Sequence, residues 1–308
     1  MRADSSIDQI KRIAEGIRCR ALEHTLQNNG GYLSQACSSA EILAVLYSAV
    51  MKLGKAAHPI VPGRFSAVPG RDNPRYLRGD FYNGPKAAHL DRFFLSPTHY
   101  SLVLYAALVE TARMAAQGLS DFNKDGSIVE MIGAEHSPGM EIMTGSLGQG
   151  ISQAAGIALA RKLKKETGRV WVLMSDGELQ IGQVWEAVQA MSFYHLDNMG
   201  IYVDVNGYQC DGTTAKVMNI EPIEERFAAF GARTVRVNGH DIEALVRAGR
   251  LVRKKRPLVV ICDTCPWQGI ELLKNRAPRF HYIRFTDAQE RQKAVSLLSA
   301  MKEKLRKL

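Results

Sequence analysis

The sequence has no continuous apolar run of about 18 residues, the length that a membrane-spanning helix needs. Its start, MRADSSIDQIKRIAEG, lacks the apolar segment of a secretory signal peptide and has the periodicity of a helix. Cysteines are few, five in all, and only Cys262 and Cys265 form a CxxC. Because there is no second pair, buried or incidental thiols explain them better than a zinc or redox site. We therefore expect a protein of the reducing cytoplasm with no membrane contact.

The sequence also lacks a concentrated basic region. Its formal net charge is +9, but Lys and Arg are spread along the chain and cluster only at 250–256 and 301–308. Both clusters fall at predicted helix ends, where cations complement the helix dipole. A solvated face is therefore the first interpretation and an anionic substrate the second. We expect no nucleic-acid partner.

What the sequence does have is an alternation of helical and strand-like segments, which predicts an α/β fold with a parallel sheet flanked by helices. We expect one domain over residues 1–308, with a long ordered Gly/Pro-rich excursion at 54–90. The predicted helices lie at about 6–26, 40–53, 99–117, 148–166, 182–196, 222–230, 240–254 and 287–306, and the predicted strands at about 170–175, 200–205, 233–237 and 257–262.

One short stretch carries the first functional prediction. The strand-like residues RVWVLMS run directly into Asp176 and Gly177, and a helical pattern follows. This order places the acid and the glycine at the carboxyl end of a buried strand, where α/β sheets bind ligands. Gly177 lets backbone N–H groups approach an anion, and the helix N-terminus favours negative charge. Since Asp176 would repel a bare phosphate, we predict a divalent cation between the two.

A second ligand for that cation is predicted at the end of the next strand. The run GIYVDVN ends at Asn206, thirty positions after Asp176, which fits one strand–helix–strand crossover. A carboxylate oxygen and an amide oxygen would then meet at adjacent strand ends and suit Mg²⁺ beside a diphosphate. Taken singly, Asp176 is better explained as a helix cap and Asn206-Gly207 as a turn. Their conjunction at this spacing favours the cation site.

Four separated stretches resemble the transketolase family. SDGELQIGQVWEA…LDNMGIYVDVNGYQCDG is similar to the thiamine-diphosphate motif, which runs from GDG to an Asn about thirty residues later. LDRFFLSPTHYSLVLYAAL (90–108) resembles the family's DRFxLSxGH segment, TGSLGQGISQAAGIALA (144–160) its LGQG motif, and FGARTVRVNGHDIEAL (230–245) its later strand and helix. The resemblance implies a transferase of carbohydrate metabolism that moves a two-carbon ketol unit between sugars or sugar phosphates. Its implied cofactors are thiamine diphosphate and Mg²⁺ (or Ca²⁺).

The resemblance also implies roles for individual residues. Asp176, the side chain of Asn206 and the backbone carbonyl of Tyr208 would bind the cation. His99 and His281 would be catalytic residues beside the cofactor, although a histidine taken alone is more often a structural group. Cofactor contacts are implied for Gly145, Leu147, Asp176, Gly177 (through its N–H to the diphosphate), Glu178, Asn206 and His281 (at the diphosphate end).

A partner is implied as well. In the family, a glutamate that hydrogen-bonds to the cofactor's aminopyrimidine belongs to a second, downstream domain, for which this chain has no room. The resemblance is therefore to the N-terminal subunit of a split transketolase, and a separate C-terminal subunit would supply that glutamate. We expect self-association and an α₂β₂ heterotetramer. The predicted interface segments are the apolar helices at 40–53 and 148–166 and the excursion at 54–90.

Several substrate-facing positions depart from the family pattern. Tyr32 and Ile132 stand where the family has histidines, and His136 lies close enough in sequence to compensate for the second. Because the cation and diphosphate motifs persist while these positions differ, we expect a non-standard substrate or weak activity. The remaining departures are Ile181 at a usual glutamate, and Pro266 and Gln268 at positions where lysines are common.

Two other interpretations stay open. The first is another thiamine-diphosphate enzyme, either the α-subunit of a 2-oxoacid dehydrogenase or a synthase with a 2-oxoacid donor. The TGSLGQG and DRFxLS-like stretches argue against the dehydrogenase. The second is a non-catalytic binding or regulatory subunit, which only the missing histidines support. A neighbouring reading frame that encodes the pyrimidine-side glutamate would discriminate among these interpretations.

Overall fold

A five-stranded parallel sheet forms the centre of the computed structural model, which describes residues 6–56, 58–68, 70–74, 76, 78–251 and 254–307. The expected α/β fold with a parallel sheet is confirmed. The strands are β1 (Arg92–Leu95), β2 (Val170–Ser175), β3 (Met199–Val205), β4 (Tyr208–Gln209), β5 (Gly212–Thr213), β6 (Arg233–Asn238) and β7 (Leu258–Asp263). The main sheet has the order β1-β2-β3-β7-β6, and β4 and β5 pair separately as a short antiparallel hairpin.

Helices cover both faces of this sheet. Their bounds are α1 (Ile7–Gln27), α2 (Leu33–Val45), α3 (Ser101–Glu110), α4 (Gly150–Leu163), α5 (Gly182–Phe193), α6 (Thr214–Val217), α7 (Ile223–Ala229), α8 (Ile242–Gly249) and α9 (Ala288–Lys307). One apolar cluster joins α1, α2, α3, α8 and α9 to one face, and a second joins α4, α5 and α7 to the other. The central strands are therefore buried on both faces, which explains why they are continuous apolar runs in the sequence.

The helix α2 lies deep in the first apolar cluster. Every residue of α2 is buried, and a short π-helical segment, Leu46–Val50, continues it. Leu33–Val50 has the length and average hydropathy of a membrane-crossing helix, but 83% of it is buried inside the protein. Ser, Gln and Glu interrupt the stretch, so it is not a continuous apolar run. Residues 40–47 of the predicted contact segment 40–53 are buried in this chain's own core, whereas 48–50 are half-buried and Lys52 is exposed. An intersubunit contact stays a prediction for that accessible end of the segment.

The other predictions differ from the structure mainly at element ends. The predicted helix at 99–117 divides into α3 and a 3₁₀ segment, Ala116–Asp121. Four residues, Arg92–Leu95, form an additional edge strand that pairs with β2. The excursion at 54–90 contains a 3₁₀ segment, Gly79–Asn83, and otherwise follows an irregular path. Residues 57, 69, 75 and 77 of this excursion, together with 1–5, 252–253 and 308, lie outside the described residues.

Candidate active site

The predicted cation ligands meet at the carboxyl edge of the sheet. Strands β2 and β3 are parallel neighbours, and their register places Ser175 opposite Asp204. Asp176 follows the end of β2 and begins a 3₁₀ turn, Asp176–Gln180, that leads into α5. Asn206 follows the end of β3 directly. The thirty-residue spacing is therefore one crossover between adjacent strands, as the sequence predicts.

Asp176 has the properties of a cation ligand. Its side chain is 1% exposed, and one carboxylate oxygen, Oδ2, accepts a hydrogen bond from the N–H of Gly207 at 2.8 Å. The other oxygen, Oδ1, is buried and has no hydrogen-bond partner among the described residues. Burial and the nearby Asp204 carboxylate raise the pKa of Asp176 to about 8. A buried carboxylate oxygen without a partner is costly, and a divalent cation would remove that cost.

The other two ligands adjoin Asp176. The amide oxygen of Asn206 accepts a hydrogen bond from the N–H of Tyr208 at 2.9 Å, and both residues line the same cleft as Asp176. No cluster of three or more His, Cys, Asp or Glu side chains suited to a metal occurs among the described residues. The candidate site instead combines one carboxylate, one amide oxygen and one backbone carbonyl, which are the oxygen ligands that Mg²⁺ and Ca²⁺ accept.

A cleft of about 280 Å³ opens beside these ligands. A Cβ atom added to Gly177 would meet only the Cβ of Gln209, at 3.4 Å, so the backbone at Gly177 faces open space. This is the approach that a diphosphate at a backbone N–H requires. The cleft is lined by Ser34, Gln35, His99, Tyr100, Leu147, Ser175, Asp176, Gly177, Gln180, Ile181, Asn206, Tyr208, Gln209, Cys210, Pro266, Phe280 and His281.

The two predicted catalytic histidines lie together at this cleft. The ring centroids of His99 and His281 are 5.2 Å apart, and the ring of Tyr32 lies within 5.5 Å of both. Burial, with a smaller effect of His281, lowers the pKa of His99 to about 3. Burial also lowers the pKa of His281, against a smaller opposing effect of Asp211. Both imidazoles are therefore neutral at pH 7, so each has one ring nitrogen that donates and one that accepts a hydrogen bond.

The remaining predicted cofactor contacts divide into two groups. Leu147 lines the cleft, whereas Gly145 and Glu178 are not among its lining residues. The carboxylate of Glu178 is fully buried and accepts hydrogen bonds from the hydroxyl of Ser96 and the N–H of Gly148. It also accepts from the N–H of Ser175 in a capping box at the start of the 3₁₀ turn. Glu178 thus links the LGQG loop by hydrogen bonds to the turn that begins at Asp176.

Comparison with known proteins supports the family suggested by the motifs. Residues 75–277 match the model of the transketolase thiamine-diphosphate-binding domain. An uncharacterised transketolase family protein of Sinorhizobium fredii is 37% identical over 93% of this chain and 94% of its own length. The chain belongs to the transketolase family. One subunit of the apulose-4-phosphate transketolase of Phocaeicola vulgatus is 33% identical over 72% of this chain and 79% of its own length.

Full-length transketolases are longer than the chain. Human transketolase is 30% identical over 86% of this chain, but over only 38% of its own length. The structure of Campylobacter jejuni transketolase superposes with a TM-score of 0.70 at 21% identity, covering 98% of this chain and 48% of that one. At this identity the superposition establishes the fold alone. The chain thus spans less than half of these full-length relatives.

The positions that depart from the transketolase pattern lie partly on the cleft and partly away from it. Ile132 is 50% exposed and is not among the residues that line the cleft. The Nε2 atom of His136 lies 3.0 Å from the Glu130 carboxylate, and its ring packs against Phe65. The structure therefore does not bring His136 into the cleft to compensate for Ile132. Ile181 and Pro266, in contrast, both line the cleft and make its wall more apolar than the usual residues would.

Sequence reasoning missed two residues of this site. Asp204 is fully buried in β3 and accepts hydrogen bonds from the hydroxyls of Ser38, Tyr100 and Thr264. Tyr100 immediately follows the predicted His99 in the sequence. The sequence pattern did not indicate that its hydroxyl bonds to Asp204 and Asn206 beside the candidate site. An acid inside the apolar run GIYVDV was the available signal, because a buried carboxylate requires partners.

Proposed function

We propose that this chain is the N-terminal subunit of a two-subunit, thiamine-diphosphate-dependent transketolase. The single observation that carries the proposal is the buried, unpartnered Oδ1 atom of Asp176 at a strand end beside Asn206 and an open glycine backbone. The family match and the likeness to a relative that is named as one subunit of a transketolase support it. The chain would act as a single domain in the cytoplasm and transfer a two-carbon ketol unit between sugars or sugar phosphates.

The residues present fit the cofactor and its cation. Asp176, the amide oxygen of Asn206 and the carbonyl of Tyr208 would hold Mg²⁺ or Ca²⁺, and the N–H of Gly177 would bind the diphosphate. Leu147 would pack against the cofactor's rings and Gly145 would contact them through its backbone, while Glu178 orders the adjacent loop through its hydrogen bond from Gly148. Thiamine diphosphate, when bound, supplies the nucleophilic carbon that carries the ketol unit.

The two proposed catalytic histidines would contact hydroxyl groups of the substrate. His99 and His281 are neutral, as their lowered pKa values imply, so each offers one ring nitrogen that accepts and one that donates a hydrogen bond to a sugar hydroxyl. Their rings lie 5.2 Å apart on the same wall of the cleft, which allows both to reach neighbouring oxygens of one substrate. The net charge of +9 favours an anionic sugar phosphate over an uncharged sugar.

The substrate is proposed to be non-standard. Tyr32 occupies the position of a family histidine and lies edge-on to the rings of His281 and Tyr282, with centroids 5.4 and 5.1 Å away. A phenol in this place cannot reproduce the hydrogen bonds of an imidazole. One relative is named for a transketolase of apulose 4-phosphate, which supports a modified ketose as the donor or product here. The partner would be a C-terminal subunit that contributes the pyrimidine-side glutamate, in an α₂β₂ assembly.

The test of this proposal is cofactor binding by the assembled protein. Asp176→Ala should abolish Mg²⁺-dependent binding of thiamine diphosphate in calorimetry, because the diphosphate loses the cation that bridges it to the protein. Asp125→Ala is the matched control, since it removes an exposed carboxylate that does not line the cleft. An unchanged affinity of Asp176→Ala for thiamine diphosphate in the presence of Mg²⁺ would contradict the assignment of Asp176 as a cation ligand. Binding without any ketol transfer would favour a regulatory subunit.

A further inference from the structure

A hydrogen-bonded chain of three side chains lies behind the candidate cation site. Tyr100 is 1% exposed and stands at the N-terminus of α3. Its hydroxyl donates to the Oδ2 atom of Asp204 at 2.8 Å and accepts from the Nδ2 atom of Asn206 at 3.3 Å. The phenol therefore joins a fully buried carboxylate to the amide that the proposed function places on the cation.

The donor and acceptor roles in this series of hydrogen bonds are determined by Asp204, at its buried end. Hydroxyl groups from Ser38, Tyr100 and Thr264 converge on Asp204, so its carboxylate is the acceptor. Because the single proton of Tyr100 points to Asp204, only a lone pair of the phenol oxygen remains for Asn206. A lone pair accepts from the amide nitrogen and repels the amide oxygen.

The opposite side of the amide imposes the same orientation. The Oδ1 atom of Asn206 accepts the N–H of Tyr208 at 2.9 Å. Rotating the amide by 180° would place two donors together on one side and two acceptors together on the other. The oxygen of Asn206 is thus held on the side of Tyr208, in the cleft that Asp176 also lines.

We propose that Tyr100 is a positioning residue, which fixes the amide of Asn206 so that its oxygen faces the cation shared with Asp176. This inference rests on the proposed function, because it assigns Tyr100 a role toward the cation of that site. Groups behind metal ligands commonly affect metal affinity 10- to 100-fold. The phenol is not proposed as a cation ligand; its hydroxyl accepts from the Asn206 amide, and we expect its effect on the cation to pass through that contact.

The experiment compares Tyr100, which caps the N-terminus of α3, with Tyr105, which lies within the same helix. Tyr100→Phe keeps the buried ring and removes the hydroxyl. Tyr105→Phe is the matched control, because Tyr105 is also fully buried, its hydroxyl donates to the backbone carbonyl of Glu130 at 2.8 Å, and it does not line the cleft. Mg²⁺ affinity is measured by calorimetry on the assembled protein with saturating thiamine diphosphate, and the melting temperature is measured with and without Mg²⁺.

The expected result is a loss of Mg²⁺ affinity of about tenfold in Tyr100→Phe and none in Tyr105→Phe. If Tyr100 had a purely structural role, Tyr100→Phe would lower the melting temperature by the same amount with and without Mg²⁺. Its Mg²⁺ affinity would then be unchanged. Asn206→Asp supplies a second test, since a carboxylate presents an oxygen in either orientation. Adding Tyr100→Phe to Asn206→Asp should therefore cost much less Mg²⁺ affinity than adding it to the natural chain.

Two results would overturn the inference while leaving the proposed function intact. One is equal Mg²⁺ affinity in Tyr100→Phe and the natural chain, and the other is an equal loss in both Asn206 backgrounds. If the natural assembled protein binds no thiamine diphosphate with Mg²⁺, the proposed function fails and the role of Tyr100 fails with it.

Discussion

At the scale of single residues, the site combines groups that suit the cofactor with a departure from the family pattern beside its two histidines. Asp176 and Asn206 stand where the family places cation ligands, and the structure brings them to one sheet edge. Tyr32 differs, because a phenol replaces an imidazole beside His99 and His281. A site designed to bind a substrate hydroxyl loses selectivity for it when the matching polar group is missing. The chemistry of the cofactor can therefore persist while the preferred sugar changes.

The residue-scale prediction concerns this sugar. We expect poor turnover of xylulose 5-phosphate relative to a branched, deoxy or otherwise modified ketose phosphate. Tyr32→His should raise kcat/KM for xylulose 5-phosphate by about tenfold, the worth of one restored hydrogen bond. Steady-state kinetics of the assembled enzyme measure kcat/KM for each sugar, in the natural enzyme and in the variant. Tyr282→His is the control, since it changes the neighbouring exposed ring without restoring a family residue. Efficient use of xylulose 5-phosphate by the natural enzyme would refute the substrate argument.

At the scale of elements, the parts of the site that follow local rules were predictable. Strands β2 and β3 are continuous apolar runs of ordinary length, and the thirty-residue crossover correctly implied that their ends are adjacent. The edge strand β1 was missed because four residues are too few to establish a period. The Tyr100–Asp204 contact was missed because it joins residues 104 positions apart in the chain. Such a contact depends on how α3 packs against the sheet, which no local pattern encodes.

The element-scale prediction concerns the excursion at 54–90. Gly79 donates its N–H to the carbonyl of Glu135 at 2.7 Å, and a Cβ atom there would lie 1.8 Å from the carbonyl oxygen of Ser137. Because that neighbour is backbone, it cannot rotate away. Gly79→Ala should therefore lower the free energy of unfolding by about 3 kcal/mol.

Urea unfolding measures this effect, and Gly70→Ala in the same excursion is its control. A Cβ atom on Gly70 would meet no heavy atom of the described residues within 4 Å, so that variant should unfold within about 0.5 kcal/mol of the natural chain. Equal unfolding midpoints for the two variants would show that the excursion does not dock against 135–140 as described.

At the scale of the whole molecule, large apolar side chains remain exposed at the ends of α4 and α5. Leu163 at the end of α4 is 76% exposed, and Phe193 and Tyr194 at the end of α5 are 75% and 49% exposed. The excursion adds further exposed apolar side chains, including Val61 and Val68. Exposed large apolar groups that recur on one face are typical of protein–protein interfaces. The predicted contacts at 148–166 and 54–90 therefore stay as proposals, whereas most of the predicted segment 40–53 lies in this chain's own core.

The whole-molecule prediction is that this chain associates with itself and with a second, different chain, and that it catalyses no ketol transfer alone. Sedimentation of the purified chain with and without its partner, combined with activity measurements, tests both parts. Leu163→Asp combined with Phe193→Asp should shift the assembly to smaller species, because two buried charges would lie in the contact. Val295→Asp on α9, across the sheet, should sediment like the natural protein. A monomeric chain that transferred ketol units without any partner would contradict the two-subunit proposal, since it would have to complete the cofactor site by itself.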